Sequence, residues 1–343
     1  MMTCKTYYRN IYVFKLLDTD DMNNDILRQK KYSRVEKIKL DFSTEITDIS
    51  CLKNLKILIL NSIHNPISQD QIDHMNLTEL RLFENKNINR ISHMKNLRIL
   101  HIVGDCTINQ EEIDKLNLYE LNMSCNPNIH CLTHMNKLKN LYAKCGRYSL
   151  GGPGSNECKK NLTRDGIKNL DLNVLDIEGN LEIIDVSSFR NLNVLDISIP
   201  YSPINQSQID HMNLTELKLL ENKNIFRVSH MPNLRVLHIV GRCAIKQDEI
   251  SKLNLYELNI SFNTDIYYLR HMSNLRKLYA NCGPHYIIVR PTETDSGYYW
   301  CPENIELSTI QNLDLHVFHI HGHSRLVMEF DKSTMKNLID YQY

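Results

Sequence analysis

The sequence predicts a solenoid of the α/β class. Short units stack in a row, each laying one strand into a parallel sheet on an inner face and returning through a short helical or extended segment. Three observations carry this expectation. Residues 71–146 recur as 208–283, displaced by 137 positions, with 53 of 76 residues identical and no gap. Inside each copy runs a shorter period of 20 to 22 residues, and most units open L-x-x-L-x-[LIM]. Asparagine then stands eight residues after the leading leucine in five units, at Asn85, Asn126, Asn180, Asn222 and Asn263. A single unit of this size cannot bury its own apolar edge, so neighbours must supply the missing partners.

Thirteen units can be cut at the leading apolar residue, beginning at Val35, Leu55, Leu77, Leu97, Leu118, Leu138, Leu172, Leu192, Leu214, Leu234, Leu255, Leu275 and Leu315, with a partial unit at the end. The repeated block is six units of 20, 22, 20, 21, 20 and 34 residues. The expected organisation is an N-terminal cap over 1–34 and a repeat domain over 35–343, in which the block 35–171 is duplicated as 172–314 and followed by 315–343. Strands side by side at about 4.8 Å would make a curved rod on the order of 60 Å long.

Within a unit, the last two apolar residues of the opening motif alternate with polar ones, the period of a half-buried strand. Leu121, Leu175, Leu217 and Leu258 are therefore expected in the core. Wider-spaced apolar residues such as Ile88, Ile91 and Met94 turn the chain back over that core, with room for about one helical turn or an extended return. Asn makes up 38 of 343 residues, but chance does not put five of them in one phase. A buried Asn carries donors and an acceptor, so a column of them can satisfy backbone groups freed where each strand ends.

The pattern L-x-x-L-x-L-x-x-N resembles the leucine-rich repeat family over Val35 to the C-terminus. The short return segments resemble the internalin or protein-phosphatase-regulator class. One departure is that the next apolar residue after Asn85 is Ile88, one position later than those classes place it. Abundant Asn, Ile, Lys and Tyr, with HMxNLxxLxI units, also look like the leucine-rich repeat proteins of giant amoebal DNA viruses. The resemblance implies a protein-binding scaffold rather than an enzyme.

Lys plus Arg and Asp plus Glu are 40 each, so no net charge draws the chain to nucleic acid or acidic lipid. No apolar run reaches the ~18 residues of a membrane span. Ile11–Leu17 is short and interrupted by Lys15, which suits a cap rather than a signal peptide. A cytoplasmic location is expected, the host cytoplasm for a viral protein. Of ten cysteines, Cys106 and Cys243 match between copies, and Cys145/Cys158 and Cys282/Cys301 bracket the two long units. Two disulfides clamping two loops is one reading. Reduced thiols packed near the Asn column is the other, and it is preferred. The spacings contain no C-x-x-C, which disfavours zinc.

Catalytic motifs are lacking: GGPGS at 151–155 has no following Lys-Ser/Thr, and no GxSxG or HExxH occurs. The one metal candidate is His316, His319, His321 and His323, where His319 and His321 on a strand would share a face. The alternative is solvent-facing histidine on a terminal strand. No cofactor is expected.

Binding is expected on the inner face, where the residues alternating with the leucines form a column: Lys39, Ile59, Arg81, His101, Asn122, Tyr142, Asp176, Asp196, Lys218, His238, Asn259, Tyr279 and His319. Arg and Tyr carry much interface energy, so Arg81, His101, Asn122, Tyr142, Lys218, His238, Asn259 and Tyr279 are the candidate binding residues. The long units exceed the repeat by 14 and 20 residues, and such insertions leave the stack as loops. The second holds the sole Trp, Trp300, beside Tyr298 and Tyr299, which join the candidates. The expected partner of this monomer is another protein, with neither nucleic acid nor membrane involved. The alternative is a substrate-recognition subunit of a ubiquitin ligase, whose adaptor-binding segment would have to lie in residues 1–34.

Overall fold

The computed structural model describes residues 23–40, 45–145, 162–180, 182–200, 202–286, 298–301, 305–323, 330–331, 333 and 335–343. The chain divides into two compact units, Met1–Leu172 and Asn173–Tyr343. That division falls within a residue of the junction between the two copies.

Unit 1 carries six parallel strands in sequence order: β1 (Lys37–Leu40), β2 (Ile57–Leu60), β3 (Glu79–Phe83), β4 (Ile99–Val103), β5 (Glu120–Asn122) and β6 (Asn140–Tyr142). Unit 2 carries eight: β7 (Val174–Asp176), β8 (Val194–Ile197), β9 (Glu216–Leu220), β10 (Val236–Val240), β11 (Glu257–Asn259), β12 (Lys277–Tyr279), β15 (Val317–His319) and β16 (Asp340–Gln342). Every proposed repeat unit thus owns one strand, and the partial unit owns the last. The fold is a solenoid of parallel strands, the architecture that the leucine-rich repeat pattern implies. A further pair, β13 (Gly283–Tyr286) and β14 (Tyr298–Cys301), forms an antiparallel hairpin. Because β12 pairs directly with β15, this hairpin stands outside the parallel sheet.

Equivalent leucines are stacked by the register: Leu100 faces Leu121, which faces Leu141, and Leu237 faces Leu258, which faces Leu278. Leu121, Leu175, Leu217 and Leu258 are fully buried. The return segments alternate strictly. The units from Leu55, Leu97, Leu138, Leu192, Leu234 and Leu275 contain one helical turn each, namely α2 (Gln69–Ile72), α3 (Gln110–Ile113), α4 (Arg164–Ile167), α5 (Gln206–Ile209), α6 (Gln247–Ile250) and α7 (Leu307–Ile310). Among the described residues, the intervening 20-residue units return without a helix. A helix advances about 1.5 Å per residue against about 3.3 Å for extended chain, so a helical return consumes more residues over the same span. Another four-residue helix, α1 (Asn24–Leu27), precedes β1 and buries Leu27.

In α2, α3, α5 and α6, two side chains lock the helix to its neighbours. Gln110 Oε1 accepts from the N–H of His130 (2.9 Å) and Cys131 (3.1 Å), while its Nε2 donates to the Cys131 carbonyl (2.7 Å). Gln69, Gln206 and Gln247, each first in its helix, make the same three bonds to the following unit. The third helical residue reaches backward instead. Glu112 accepts from Ile91 and Ser92 N–H, Glu249 from Val228 and Ser229 N–H, and Gln71 from Ile49 N–H. Each extended return lying between two such helices is therefore held from both sides.

The asparagine column is buried and bonded. Asn85 Oδ1 accepts from Asn87 and Ile88 N–H, and Asn222 Oδ1 from Asn224 and Ile225 N–H. Asn180 Oδ1 accepts from Glu182 and Ile183 N–H. Asn126 and Asn263 also donate to Ile102 and Ile239 carbonyls of the preceding unit. The residue before each column Asn has a left-handed backbone: Glu84 (φ 45), Cys125 (φ 58), Gly179 (φ 77), Glu221 (φ 49) and Phe262 (φ 60). Two further members escape the eight-residue count. Asn65 Oδ1 accepts from Ile67 N–H and Ser202 Oγ from Ile204 N–H, displaced by the longer strand-to-turn segment of the 22-residue units.

Cys106 and Cys243 sit buried at the ends of their strands, with each sulfur near a strand carbonyl (Val103 O at 3.5 Å, Val240 O at 3.4 Å). Burial pushes their thiols up to about 11 and about 12, so they stay protonated. Cys282 is buried and Cys145 half-buried, whereas Cys158 and the Cys301 side chain lie outside the described residues. So do residues 1–22, which include most of the expected cap.

Candidate inner-face binding site

The alternation of strand residues brings the expected binding side chains onto one face, and the register makes them neighbours. Arg81 faces His101, His101 faces Asn122, and Asn122 faces Tyr142. In unit 2, Lys218 faces His238, His238 faces Asn259, and Asn259 faces Tyr279, with His319 next. All are half-buried. Three other column members are covered rather than displayed: Ile59 and Asp176 are 8% exposed and Asp196 is 5% exposed. Lys218 Nζ approaches Asp196 Oδ2 at 4.0 Å.

Polar groups on this face pair across strands and along them. His101 Nε2 lies 2.9 Å from Glu120 Oε1, and His238 Nε2 lies 2.9 Å from Glu257 Oε1. Arg81 pairs with Glu79 at 2.5 Å and Lys218 with Glu216 at 2.6 Å. The His238 hydrogen bond, joined by Lys277 at 3.0 Å, overcomes partial burial and holds Glu257 at about 2. Burial pushes His101 down, and its bond to Glu120 offsets only part of that. Burial pushes Glu120 up, but bonds from Asn140 and His101 outweigh it and lower the carboxyl overall. In unit 2 the rings of His238 and Tyr279 meet edge-on at 6.4 Å, and those of Tyr279 and His319 at 5.0 Å.

The histidine-rich segment differs from expectation. β15 ends at His319, and His321 lies in the following turn, so the two do not share a strand face. Nor is β15 terminal, since β16 follows and Asp340 Oδ2 lies 2.9 Å from His319 Nε2. Among the described residues, the group that brings three potential ligand atoms within 4.8 Å is Asp176, Glu178 and Asp196. Asp196 there already accepts from Ser198 N–H at 3.0 Å, and Lys218 supplies countercharge.

Of the loop candidates, Tyr298, Tyr299 and Trp300 belong to β14, opposite Tyr286, His285 and Pro284 of β13. Their side chains lie outside the described residues, as does most of the first long loop.

Sequence reasoning missed a set of residues on the return side. Ile184, Phe226 and Tyr267 occupy the same position in the extended units from Leu172, Leu214 and Leu255, and all three are exposed, with Tyr268 beside them. Their counterparts 137 positions earlier are Thr47, Asn89, His130 and Cys131. Comparing copies by their differences rather than their identities would have found them.

No family model matches the chain, and no curated protein matches it. Among solved structures, the functional domain of InlJ from Listeria monocytogenes, described as including a cysteine ladder, is similar at 15% identity and a TM-score of 0.44, with 90% of this chain and 63% of that one covered. The present chain thus spans less than two thirds of that domain. A leucine-rich repeat protein of Leptospira interrogans is similar at 15% identity and a TM-score of 0.44, covering 100% of this chain and 99% of that one.

Proposed function

We propose that the chain is a non-catalytic scaffold that binds another protein through the inner strand face of each unit, with the two inserted loops adding contacts. One observation carries this reading. The inner quartet is kept between copies, although Lys39 and Ile59 earlier in the column become Asp176 and Asp196, whereas several exposed positions outside this face change character. Arg81, His101, Asn122 and Tyr142 correspond to Lys218, His238, Asn259 and Tyr279, the single change retaining its charge. The 2.9 Å His–Glu contact is kept as well. On the return side, Asp105 becomes Arg242, Thr133 becomes Arg270 and Asn89 becomes Phe226. A quartet that only had to be wet would have drifted as those exposed positions did.

The partner is a folded or extended protein segment that presents hydrogen-bonding groups to the His, Asn and Tyr positions and stacks on Tyr142 or Tyr279. The likeness to giant amoebal virus repeat proteins makes a host protein in the host cytoplasm the expected partner. Affinity capture with mass spectrometry tests the reading, using the full chain beside Tyr142→Ala and Tyr279→Ala. Loss of an anchoring aromatic is expected to weaken capture by on the order of tenfold or more. A partner captured equally by both variants and the parent would remove the inner face from consideration. Recovery of ubiquitin-ligase adaptors would favour the substrate-recognition alternative.

A further inference from the structure

We propose that unit 2 forms an isologous homodimer through the apolar stripe on its return side. The stripe is Ile184, Phe226, Tyr267 and Tyr268, exposed by 52%, 56%, 56% and 43%. Its first three positions sit in units two strands apart, so they are spaced by roughly 10 Å and span roughly 20 Å. The backbone beneath is rigid: Gln206 holds the N–H of Phe226 at 3.0 Å, and Gln247 holds those of Tyr267 and Tyr268 at 2.9 and 3.0 Å. These rings are therefore presented on a fixed frame rather than on a loop able to fold them away. The same frame in unit 1 presents Thr47, Asn89, His130 and Cys131, so apolar exposure is not a requirement of the fold. A row of exposed apolar side chains on one side of the unit marks an interaction site.

Charge points to a second copy as the occupant. The charges flanking the middle of the stripe are neutralised within the unit, Arg227 by Asp210 at 2.8 Å and Lys246 by Asp265 at 2.6 Å. The ends differ in sign. Glu182 stands beside Ile184, while Arg270 is exposed beside Tyr267 and Tyr268. A two-fold axis through the stripe lays two copies antiparallel and brings the acidic end of each onto the basic end of the other. With Lys plus Arg equal to Asp plus Glu at 40 each, no net repulsion opposes the approach of identical chains. The surface lies apart from the inner face, so the dimer stands or falls independently of the partner-binding reading.

The test is sedimentation velocity of the full 40.2 kDa chain up to tens of micromolar. A concentration-dependent species of twice the monomer mass is expected. Phe226→Asn with Tyr267→His installs the residues that unit 1 already carries in the same frame, so folding is retained. This double variant should weaken the dimer by on the order of tenfold or more. Arg270→Glu should also weaken it, and adding Glu182→Arg should restore it, a rescue that nonspecific apolar association would not show. A chain that stays monomeric at the highest concentration overturns the proposal. So does a dimer indifferent to the Phe226/Tyr267 pair, open-ended association, or failure of the charge swap to rescue.

Discussion

His238 and Glu257 meet at 2.9 Å across neighbouring strands, and 137 positions earlier His101 and Glu120 meet at the same 2.9 Å. The contact makes stability pH-dependent with a defined sign. Glu257 is held at about 2, below the roughly 4.3 of an unfolded glutamate, so its contribution is present above about pH 4.3 and is lost as pH falls towards 2. His101 is pushed down by burial, so the unfolded chain takes up its proton first, and stability also declines as pH drops below about 6.5. Melting temperatures should fall monotonically in acid below about pH 6.5. Glu257→Gln should flatten the part of that fall below about pH 4.3. A melting temperature that rises on acidification through this range would contradict the pairing.

Gln110 and Gln247 should be worth more than surface glutamines. Replacing either with Ala strips the acceptor from two backbone N–H groups and the donor from one carbonyl. Unfolding in urea should show a loss of about 1–3 kcal/mol for each. Amide exchange should quicken first at His130 and Cys131 in one variant and at Tyr267 and Tyr268 in the other. An unchanged exchange rate at those amides would mean the bonds do not hold the return segments.

Core truncation sets the scale. Leu121→Ala, Leu175→Ala, Leu217→Ala or Leu258→Ala removes a fully buried side chain stacked between like leucines. Each should cost about 2–5 kcal/mol by denaturant titration.

A stabilising change is also expected. Glu84 is exposed and holds φ 45, a conformation that the equivalent Gly179 adopts at φ 77. Glu84→Gly should raise stability by about 1 kcal/mol through relief of left-handed strain. A drop in the melting temperature would show that the Glu84 side chain, packed over Gly104, contributes more than its backbone strain costs.

The sequence revealed the strands and the leucine stack because an alternation of two, repeated every 20 residues, has few structural solutions. It also revealed five of the column asparagines, since Asn85 and its equivalents keep one distance from their leucines. Asn65 and Ser202 escaped because two extra residues precede the turn in their units. Gln69 and Gln110 escaped for a different reason. A glutamine in a return segment reads as solvated surface, and only the fold shows that its amide reaches the next unit. The inner quartet was legible from alternation, but the His–Glu pairing required the register. The failure at His319 and His321 has the same origin, for the sequence does not mark where β15 stops. Tyr298–Trp300 lies in an insertion whose sequence reads as loop, and its hairpin with Gly283–Tyr286 depends on a pairing across the insertion that no periodicity announces.

The hairpin bears on the loop prediction. Since β12 pairs with β15 directly, deleting Thr292–Trp300 should leave the parallel sheet and the melting temperature nearly unchanged while abolishing partner binding. A large fall in melting temperature would place the hairpin in the stabilising core instead.

The most direct measurement is photo-crosslinking from single sites in the full chain. A photoreactive residue would be placed at Tyr142 or Tyr279 on the inner face, and at the exposed Asn89 on the return side. The account predicts that one and the same partner protein is labelled from Tyr142 and from Tyr279 and is not labelled from Asn89. Labelling of the partner from Asn89, with none from either tyrosine position, would contradict it.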